Sequence, residues 1–439
     1  MPQPSQDLDT LFEELLQDLP PETAQMAREF KAFTRSRKIK TPVQLLRVVL
    51  LYCGLDKSLR EVAGHVTLLV ERITDTSVAE RLAACRPWVR ALLAQMLPRP
   101  DLAMLSAPHR FLVIDASGIQ APGARGTQYR LHLCMEMVTL TFTSVTITDK
   151  RTGESLKHFP LGPGDVAVAD RGYCHPEAIV QTVQRGADVL LRLNPHHVPL
   201  SQRDGAPLDL VAALQPQAPA TICTLPVRIG QASQPDGIAA WVHAYRLPEE
   251  QANRARQVCR KRNSKKGHQP KKRTLFLAGW VLVLTSLLPA LLSGPTALAV
   301  YRVRWQIEVA IKRWKSLLDA DLLRAHYGSP LADVWLHGKL LYALLLDRRL
   351  RRTLGDGWNR LDGERLATWW RPWKLLQDEL TPRITGVHSW QHQLWPACLQ
   401  VLAERPRRRT LQRLPLEVTL GLHGSNTLFQ QPQTQDIAA

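Results

Sequence analysis

The 439-residue sequence lacks the features of a disulfide-bonded, nucleotide-binding or secreted protein. Its seven cysteines include no CxxC pair, which argues against a disulfide framework or a thiolate zinc site and favours a reducing compartment. No GxxxxGKS or GxxxxGKT loop occurs, so chemistry driven by a nucleotide is not indicated. The polar and acidic start, MPQPSQDLDT, does not have the composition of a signal peptide.

Long apolar runs are also scarce, with one candidate between residues 274 and 301. This stretch holds no charged residue and follows a basic segment, as a membrane span can. Gly279 and Pro289 interrupt it, however, and a Gly-Pro pair follows. The sequence therefore favours a strand over 275–284, a turn and the approach to a helix, in a protein that does not cross a membrane.

Acidic residues are outnumbered, since 39 Asp and Glu face 57 Lys and Arg and the net charge is +18. Such an excess predicts a polyanion or an acidic membrane surface as partner. It is densest over 254–273, which carries ten Lys and Arg and no acid. We predict a basic loop here that binds DNA phosphates, with these candidate residues: Lys265, Lys266, Lys271, Lys272 and Arg273.

Changes in composition divide the chain into regions of different secondary structure. Helical periodicity dominates the N-terminal region, where a helix opened by Thr41-Pro42, a turn at Gly54 and a second helix resemble either a small DNA-binding module or a structural bundle. The predicted regions are an N-terminal helical domain (1–100), an α/β core (101–194 and 275–350), a β-rich insertion (195–274) and a helical, Trp-rich C-terminal region suited to dimerisation or to packing (351–439).

Two apolar runs of the predicted core each stop at an aspartate. Phe111-Leu-Val-Ile is followed by Asp115, and Val166-Ala-Val-Ala is followed by Asp170. Continuous apolar runs of this length are typical of strands buried on both faces. Since α/β folds bind ligands at the carboxyl ends of such strands, we expect both carboxylates at one edge of the sheet.

A third acid, Glu308, lies in a segment of helical character. The spacings from Tyr301 to Arg304, Glu308 and Lys315 place all four side chains on one stripe of a helix. Ordinary ion pairing on a helix face is the alternative explanation for Arg304 and Glu308. Beside two aspartates, however, the stripe predicts one further metal ligand surrounded by groups that bind phosphate.

Carboxylate oxygens are the ligands that Mg²⁺ and Mn²⁺ prefer. Clustered acids raise one another's pKa unless a cation neutralises them, so Asp115, Asp170 and Glu308 make sense around divalent ions. Two such ions would stabilise the attacking and leaving oxygens of a phosphoryl transfer. Glu154, which flanks the second aspartate motif, is a candidate outer support of the same site.

These motifs together resemble the insertion-sequence-four family of DDE transposases. Tyr301, Arg304, Glu308 and Lys315 match its Y-(2)-R-(3)-E-(6)-K signature at every position. The segments 111–119 and 152–173 resemble those that carry its first and second catalytic aspartates. The resemblance implies a ribonuclease H-like mixed sheet interrupted by a β-rich insertion, and it covers roughly residues 105–350.

Carried over residue by residue, the resemblance implies an Mg²⁺-dependent transposase with Asp115, Asp170 and Glu308 as metal ligands. Tyr301, Arg304 and Lys315 would hold phosphates of the transposon end. The enzyme would work as a homodimer on paired terminal inverted repeats and join the freed 3′-OH to target DNA, by way of a hairpin in some members. It would act in the bacterial cytoplasm at the nucleoid.

Two further interpretations concern single residues and the activity. Trp280 and Trp305 stand where some family members stack a flipped base, although both also suit core packing. The chain as a whole is alternatively an inactive DNA-binding relative that inhibits transposition, or a nuclease that cuts without joining.

Overall fold

The computed structural model describes residues 12–98, 108–230, 237–355 and 369–385. The first range is helical, with helices α1 (Thr23–Glu29), α2 (Pro42–Val49), α3 (Leu59–Leu69), α4 (Asp75–Ala84) and α5 (Arg86–Met96). Thr41 caps α2 by accepting a hydrogen bond from the Gln44 amide at 3.1 Å, and Ser58 caps α3 with Glu61 in a reciprocal capping box. The predicted helix, turn and helix of this region are confirmed.

A nine-stranded mixed sheet forms the centre of the protein. Its strands are β1 (Arg110–Gln120), β2 (Thr127–Glu136), β3 (Phe142–Asp149), β4 (Asp165–Ala169), β5 (Asp188–Arg192), β6 (Leu200–Ser201), β7 (Ile222–Ile229), β8 (Ile238–Arg246) and β9 (Trp280–Thr285). They lie in the order β3-β2-β1-β4-β5-β9-β8-β7-β6. The first three strands form an antiparallel meander, and β4 and β5 run parallel to β1. This arrangement fits a ribonuclease H-like domain.

Both faces of the central strands are buried, as their apolar runs predict. Along β4, Val166 and Val168 join the hydrophobic cluster that includes the N-terminal helices, whereas Ala167 and Ala169 join the cluster on the opposite face. Phe111–Ile114 of β1 alternates between the same two clusters. The sheet is therefore a middle layer with helices on both sides.

The remaining helices of the described residues lie between the strands in the chain or follow the last strand. They are α6 (Pro176–Gln184), α7 (Leu210–Leu214), α8 (Glu249–Ser264), α9 (Lys272–Ala278), α10 (Gly294–Val303), α11 (Trp305–Leu318), α12 (Pro330–Leu354) and α13 (Trp370–Thr385). Strand β9 follows the inserted segment in the chain but lies between β5 and β8, antiparallel to both. The inserted strands therefore extend the core sheet and do not form a separate one.

The prediction of a basic loop over 254–273 is wrong for residues 254–264, which are helical, and confirmed for residues 265–271, which connect two helices. Helix α8 covers most of this segment, with Glu249 and Glu250 in its first turn and Lys261 and Arg262 in its last, a distribution that favours the helix dipole. The predicted strand over 275–284 is also wrong in its first half. Helix α9 ends at Gly279, and only then does β9 begin.

The N-terminal helices share a hydrophobic core with α12. Lys339 of α12 is buried, and its Nζ lies 2.7 Å from Asp56 Oδ2 and 3.1 Å from the carbonyl of Gly54. Farther along α12, Arg349 binds the buried Asp18 at 3.2 Å. Charged groups as well as apolar contacts therefore hold α12 against the N-terminal helices, which lie nearly 300 positions earlier in the sequence.

Of the predicted C-terminal region, the structure describes residues 351–355 and 369–385. Trp373 of α13 is fully buried, as the packing interpretation of the tryptophans predicts; Trp390 and Trp395 lie outside the described residues. Among the helices that the structure describes, none has the length and apolar composition needed to span a membrane.

Candidate active site

Asp115 and Asp170 lie at the edge where β1 and β4 separate. The parallel pairing of these strands runs from Arg110 opposite Asp165 to Val113 opposite Val168, and the same offset continued by two residues sets Asp115 opposite Asp170. The expectation that β1 stops at Asp115 is wrong, because β1 continues to Gln120 through its pairing with β2. Only the pairing with β4 ends there, which leaves room beside the carboxylate.

Asp170 follows β4 directly and opens a short turn. Its Oδ1 accepts a hydrogen bond from the Gly172 amide at 2.8 Å and so caps the turn Arg171–Tyr173. Asp115 Oδ1 accepts from the amide of Ala116 at 2.8 Å. Each aspartate therefore keeps its other carboxylate oxygen, Oδ2, for a further partner.

Glu308 reaches Asp115 through Arg304. The Nη2 of Arg304 donates to Glu308 Oε1, and its Nη1 lies 3.9 Å from Asp115 Oδ2. Arg304 lies between α10 and α11. At this junction the backbone hydrogen bonds join residues three positions apart: the amide of Arg304 donates to the carbonyl of Tyr301, and the amide of Ile307 donates to the carbonyl of Arg304, each at 3.2 Å. The helical segment predicted around Glu308 is thus two helices with Arg304 at the junction.

Burial and the neighbouring acids disfavour ionisation of Asp115. Burial, with smaller contributions from the charges of Glu308 and Asp170, raises the pKa of Asp115 to about 7, against the lowering effects of the Ala116 amide and of Arg304. All three acids therefore lie near enough to interact. Arg304 supplies part of the positive charge that clustered carboxylates need.

The residues of the site suit a hard divalent cation. The acids offer only oxygen ligands, and the buried hydroxyl of Tyr173 has no hydrogen-bond partner among the residues the structure describes. Gly172 leaves a space that a Cβ would fill, bordered by the carboxylates of Asp170 and Glu154. Within the same residues, no three acidic, His or Cys side chains are grouped closely enough to hold an ion, and Arg304 lies between two of the acids.

The other members of the predicted stripe take different positions. The ring centroid of Tyr301 lies 5.7 Å from Arg304 Cζ, so these two residues stay together beside the acids. Lys315 points to another acid, with its Nζ 3.8 Å from Asp321 Oδ2. The structure thus brings Tyr301, Arg304 and Glu308 together and places Lys315 two turns farther along α11.

Sequence reasoning missed a further arginine at the same edge of the sheet. Arg192 is the last residue of β5, and its Nη2 donates to the carbonyl of Trp280 at 3.1 Å. Burial lowers the pKa of Arg192 to about 10, and the charges of Arg171 and Arg304 act in the same direction. The sequence could have indicated Arg192 as a site residue, because it ends the third parallel strand and the two aspartates lie at the carboxyl ends of the other two paired segments.

The two candidate stacking tryptophans differ in exposure. Trp280 is 2% exposed, and its ring lies 6.0 Å from that of Phe276, so it packs in the core in this conformation. Trp305 is the first residue of α11 and is half-buried.

The candidate phosphate-binding residues of the basic segment are all on the surface. They flank the junction of α8 and α9 and are exposed: Lys265, Lys266, Lys271, Lys272 and Arg273. Near the start of α8, Arg254 and Arg256 pair with Glu250 and Glu249. Since no acid occurs from 251 to 273, the positive charge grows toward the end of α8.

A histidine pair anchors the loop that precedes β4. His132 is fully buried, with its Nε2 2.9 Å from Thr148 Oγ1 and its ring centroid 4.3 Å from that of His158. His158 in turn contacts the carbonyl of Gly153 at 2.9 Å through its Nε2. Burial lowers the pKa of His132 to about 4, and the positive charges of His158 and Arg130 lower it too.

This histidine predicts a loss of stability in mild acid. Between the unfolded pKa of about 6.5 and the folded value, only the unfolded chain takes up the proton, so the free energy of unfolding falls as pH falls, by at most about 3 kcal/mol. Urea unfolding at pH 7, 5.5 and 4.5 measures it. We expect a shallower pH dependence in His132→Gln and an unchanged one in the exposed control His326→Gln; equal slopes for His132→Gln and wild type would contradict the assignment.

Comparison with known proteins identifies the family of this chain. Residues 106–342 match the family model described as the transposase DDE domain. The chain is 33% identical over 341 residues to the putative transposase InsL of insertion sequence element IS186A from Escherichia coli K12, covering 76% of this chain and 92% of that protein. The match to the transposase of IS421 from Escherichia coli is also 33%, over 342 residues with the same coverage.

A more distant relative is the transposase of IS231D from Bacillus thuringiensis subsp. finitimus. It is 26% identical over 217 residues, which are 44% of this chain and 45% of that protein. The matched family segment contains both strand aspartates and Glu308. The chain therefore belongs to the DDE transposases, enzymes that depend on a divalent metal to cleave and join DNA.

Proposed function

We propose that this transposase cuts DNA at the ends of its element and joins the freed 3′-OH to target DNA, in a cut-and-paste reaction. One observation carries the proposal: Asp115 and Asp170 stand opposite each other where two parallel strands part, and Arg304 ties Glu308 to Asp115. Arg304 thereby joins two acids from distant parts of the chain, and the charge of Asp170 acts on one of them. This arrangement supports a carboxylate site for the metal ions of phosphoryl transfer.

In this proposal Asp115, Asp170 and Glu308 hold Mg²⁺, with Mn²⁺ able to replace it, because all of their ligand atoms are carboxylate oxygens. When bound, two such ions stabilise the attacking and leaving oxygens of an in-line displacement. Binding requires the acids to lose their protons, and burial resists this at Asp115. The guanidinium of Arg304 offsets that resistance.

Arg304 and Tyr301 grip the DNA backbone next to the acids. A guanidinium presents five donors in a planar fork, so Arg304 has donors for a phosphate besides the one given to Glu308. Lys315, which is about one-third exposed and pairs only loosely with Asp321, binds a neighbouring phosphate. The three residues thereby hold the end of the element against the carboxylates.

The cationic end of α8 forms a second contact with double-stranded DNA. Neutralising Lys265 and Lys266 together by Gln should weaken binding equally for all DNA sequences and reduce the salt dependence by about two counterions. Fluorescence anisotropy at several salt concentrations measures both effects. The matched control, Arg185→Gln with Arg203→Gln, removes two exposed charges elsewhere; an equal loss in the control would contradict a local contact.

The last part of the proposal concerns how the two ends of the element are held and released. Two copies of the chain hold the two terminal inverted repeats of the element, and each copy cuts one end. A hairpin is one route of release, and the half-buried Trp305 remains the candidate to stack a displaced base; Trp280 is set aside because its ring is buried. The substrate is the DNA of the bacterial cytoplasm, at the nucleoid.

The test uses the full chain with linear DNA that carries the inverted repeats flanking its own reading frame, in Mg²⁺ or Mn²⁺ and with a plasmid target. We expect cleavage at the repeat boundary and covalently joined products, which gel electrophoresis and sequencing of junctions detect. Cleavage without joined products would replace the proposal by a nuclease. Binding without strand breakage would replace it by an inactive DNA-binding relative that inhibits transposition.

A further inference from the structure

A fourth carboxylate, that of Glu154, borders the same space as Asp170. Gly172 lies between them: a Cβ added to Gly172 would overlap Glu154 Oε2 and lie 3.0 Å from Asp170 Oδ1. The amide of Gly172 already binds Asp170, so the turn after β4 holds one acid and makes room for the other. Only glycine allows both carboxylates to approach this point.

The approach of Glu154 is built by the loop that carries it. Arg130 of β2 donates from its Nη1 to the carbonyl of Thr152, and His158 contacts the carbonyl of Gly153 at 2.9 Å. Both residues immediately before Glu154 are therefore fixed to neighbouring structure. The position of its side chain follows from these contacts and from burial against the turn.

Glu154 has no partner that explains this position. Among the described residues, no hydrogen bond and no ion pair within 4.0 Å engages its carboxylate, which is half-buried. Burial raises the pKa of Glu154, and the charge of Asp170 raises it further, against the lowering effects of Arg130 and His175. Placing a half-buried acid beside another acid costs free energy unless a cation shares them.

The hydroxyl of Tyr173 is a second observation that indicates a cation site here. Its side chain is fully buried, and in the part of the chain that the structure describes its hydroxyl has no hydrogen-bond partner. The acids whose charges act on this hydroxyl are Asp115, Glu154 and Asp170. A buried hydroxyl without a partner indicates a ligand of the site, such as an ion with its water.

We propose that Glu154 is a fourth acidic residue of the divalent-metal site, holding the ion at Asp170 from the opposite side of Gly172. The inference rests on the proposed function, because it assumes that Asp170 binds metal. It makes the loop before β4 part of the active site. Glu154 is a positioning residue for the ion and takes no proton in the reaction.

The test measures Mn²⁺ binding to the full chain without DNA, by the electron paramagnetic resonance signal of free Mn²⁺. We expect the Kd to rise at least about tenfold in Glu154→Gln, less in Glu154→Asp, which keeps the charge, and most in Asp170→Asn. The control Glu177→Gln removes an exposed carboxylate that pairs with Lys157 and should leave the Kd unchanged.

Thermal unfolding gives a second readout that a purely structural role would not produce. Without metal, Glu154→Gln should unfold at a higher temperature than wild type, because one repelling charge is gone; with Mn²⁺ it should gain less stability than wild type does. An unchanged Kd in Glu154→Gln, beside a lost site in Asp170→Asn, overturns the role of Glu154 alone. Equal Mn²⁺ binding by wild type and Asp170→Asn, or none by wild type, overturns the metal site as well.

Discussion

Asp115→Asn is expected to reduce strand cleavage by at least about a thousandfold, and Asp170→Asn and Glu308→Gln should do the same. Each change keeps the shape of the side chain and removes a negative charge that holds divalent metal. Loss of metal stabilisation is worth several kcal/mol in the transition state, and about 4 kcal/mol corresponds to that factor. Single-turnover cleavage of end-bearing DNA measures the rate.

The three acids should also behave as one unit. Asp115→Asn combined with Glu308→Gln is expected to be no slower than either single variant, since a site that has lost its ion has no more to lose. DNA affinity should stay the same or increase, because each variant lowers the negative charge that faces the backbone. The control Glu80→Gln, at an exposed acid of α4, should cut at the wild-type rate; cleavage near that rate in any triad variant would refute the site.

Lys339→Ala is expected to lower the free energy of unfolding by about 3–5 kcal/mol, the largest single effect on stability that we predict. The ammonium of Lys339 is 1% exposed and binds Asp56 at 2.7 Å. Asp56 also accepts from the indole of Trp335 at 2.9 Å. Removing the lysine leaves the carboxylate of Asp56, which is 16% exposed, without its cation between the N-terminal helices and α12.

Urea unfolding at pH 7 checks this value against a matched surface pair. Lys40 is half-exposed and binds Glu71 at 2.8 Å, so Lys40→Ala should cost at most about 1 kcal/mol. Lys339→Met combined with Asp56→Asn should recover part of the loss, since both charges are then gone. A cost for Lys339→Ala no larger than that of Lys40→Ala would mean that the buried pair contributes nothing.

Local chemistry made much of the core predictable. The apolar runs before Asp115 and Asp170 could be recognised because strands buried on both faces are nearly continuous apolar runs. The alternation of β4 residues between the two hydrophobic clusters confirms that burial. The caps at Thr41 and Ser58 depend on neighbouring residues only. These features are encoded within a few positions of sequence.

The wrong predictions concern segments whose structure depends on distant contacts or lacks an apolar pattern. Helix α8 buries only Ala252, so no hydrophobic period marks it, although its Arg, Lys and Gln residues favour helices. The junction at Arg304 forms where its side chain turns to Asp115, which is nearly two hundred positions earlier. Neither feature is visible to reasoning over a short window.

The candidate site divides in the same way. Asp115, Asp170 and Glu308 could be proposed from motif spacing. The placement of Asp115 and Glu308 around Arg304, with Asp170 near Asp115, supports that choice. From the sequence, Glu154 could be proposed only as an outer support of the site. Its approach to Asp170 and the buried hydroxyl of Tyr173 could not be predicted, because both depend on how the loop before β4 folds over the turn at Gly172. A polar side chain can be recognised as unpaired only when the three-dimensional positions of its neighbours are known.

The continuous sheet has a consequence for building hybrid enzymes. Strand β9 pairs with β5 through Leu190–Arg192 and with β8 from Trp241 to Arg246, so the inserted segment is joined to the catalytic strands by main-chain hydrogen bonds along its whole width. A segment exchanged from a relative must reproduce the β8–β9 register, since a slip of one residue would turn Leu282 and Leu284 out of their cluster. Matching the lengths of the two connections alone would yield an open strand edge and an aggregating chimera.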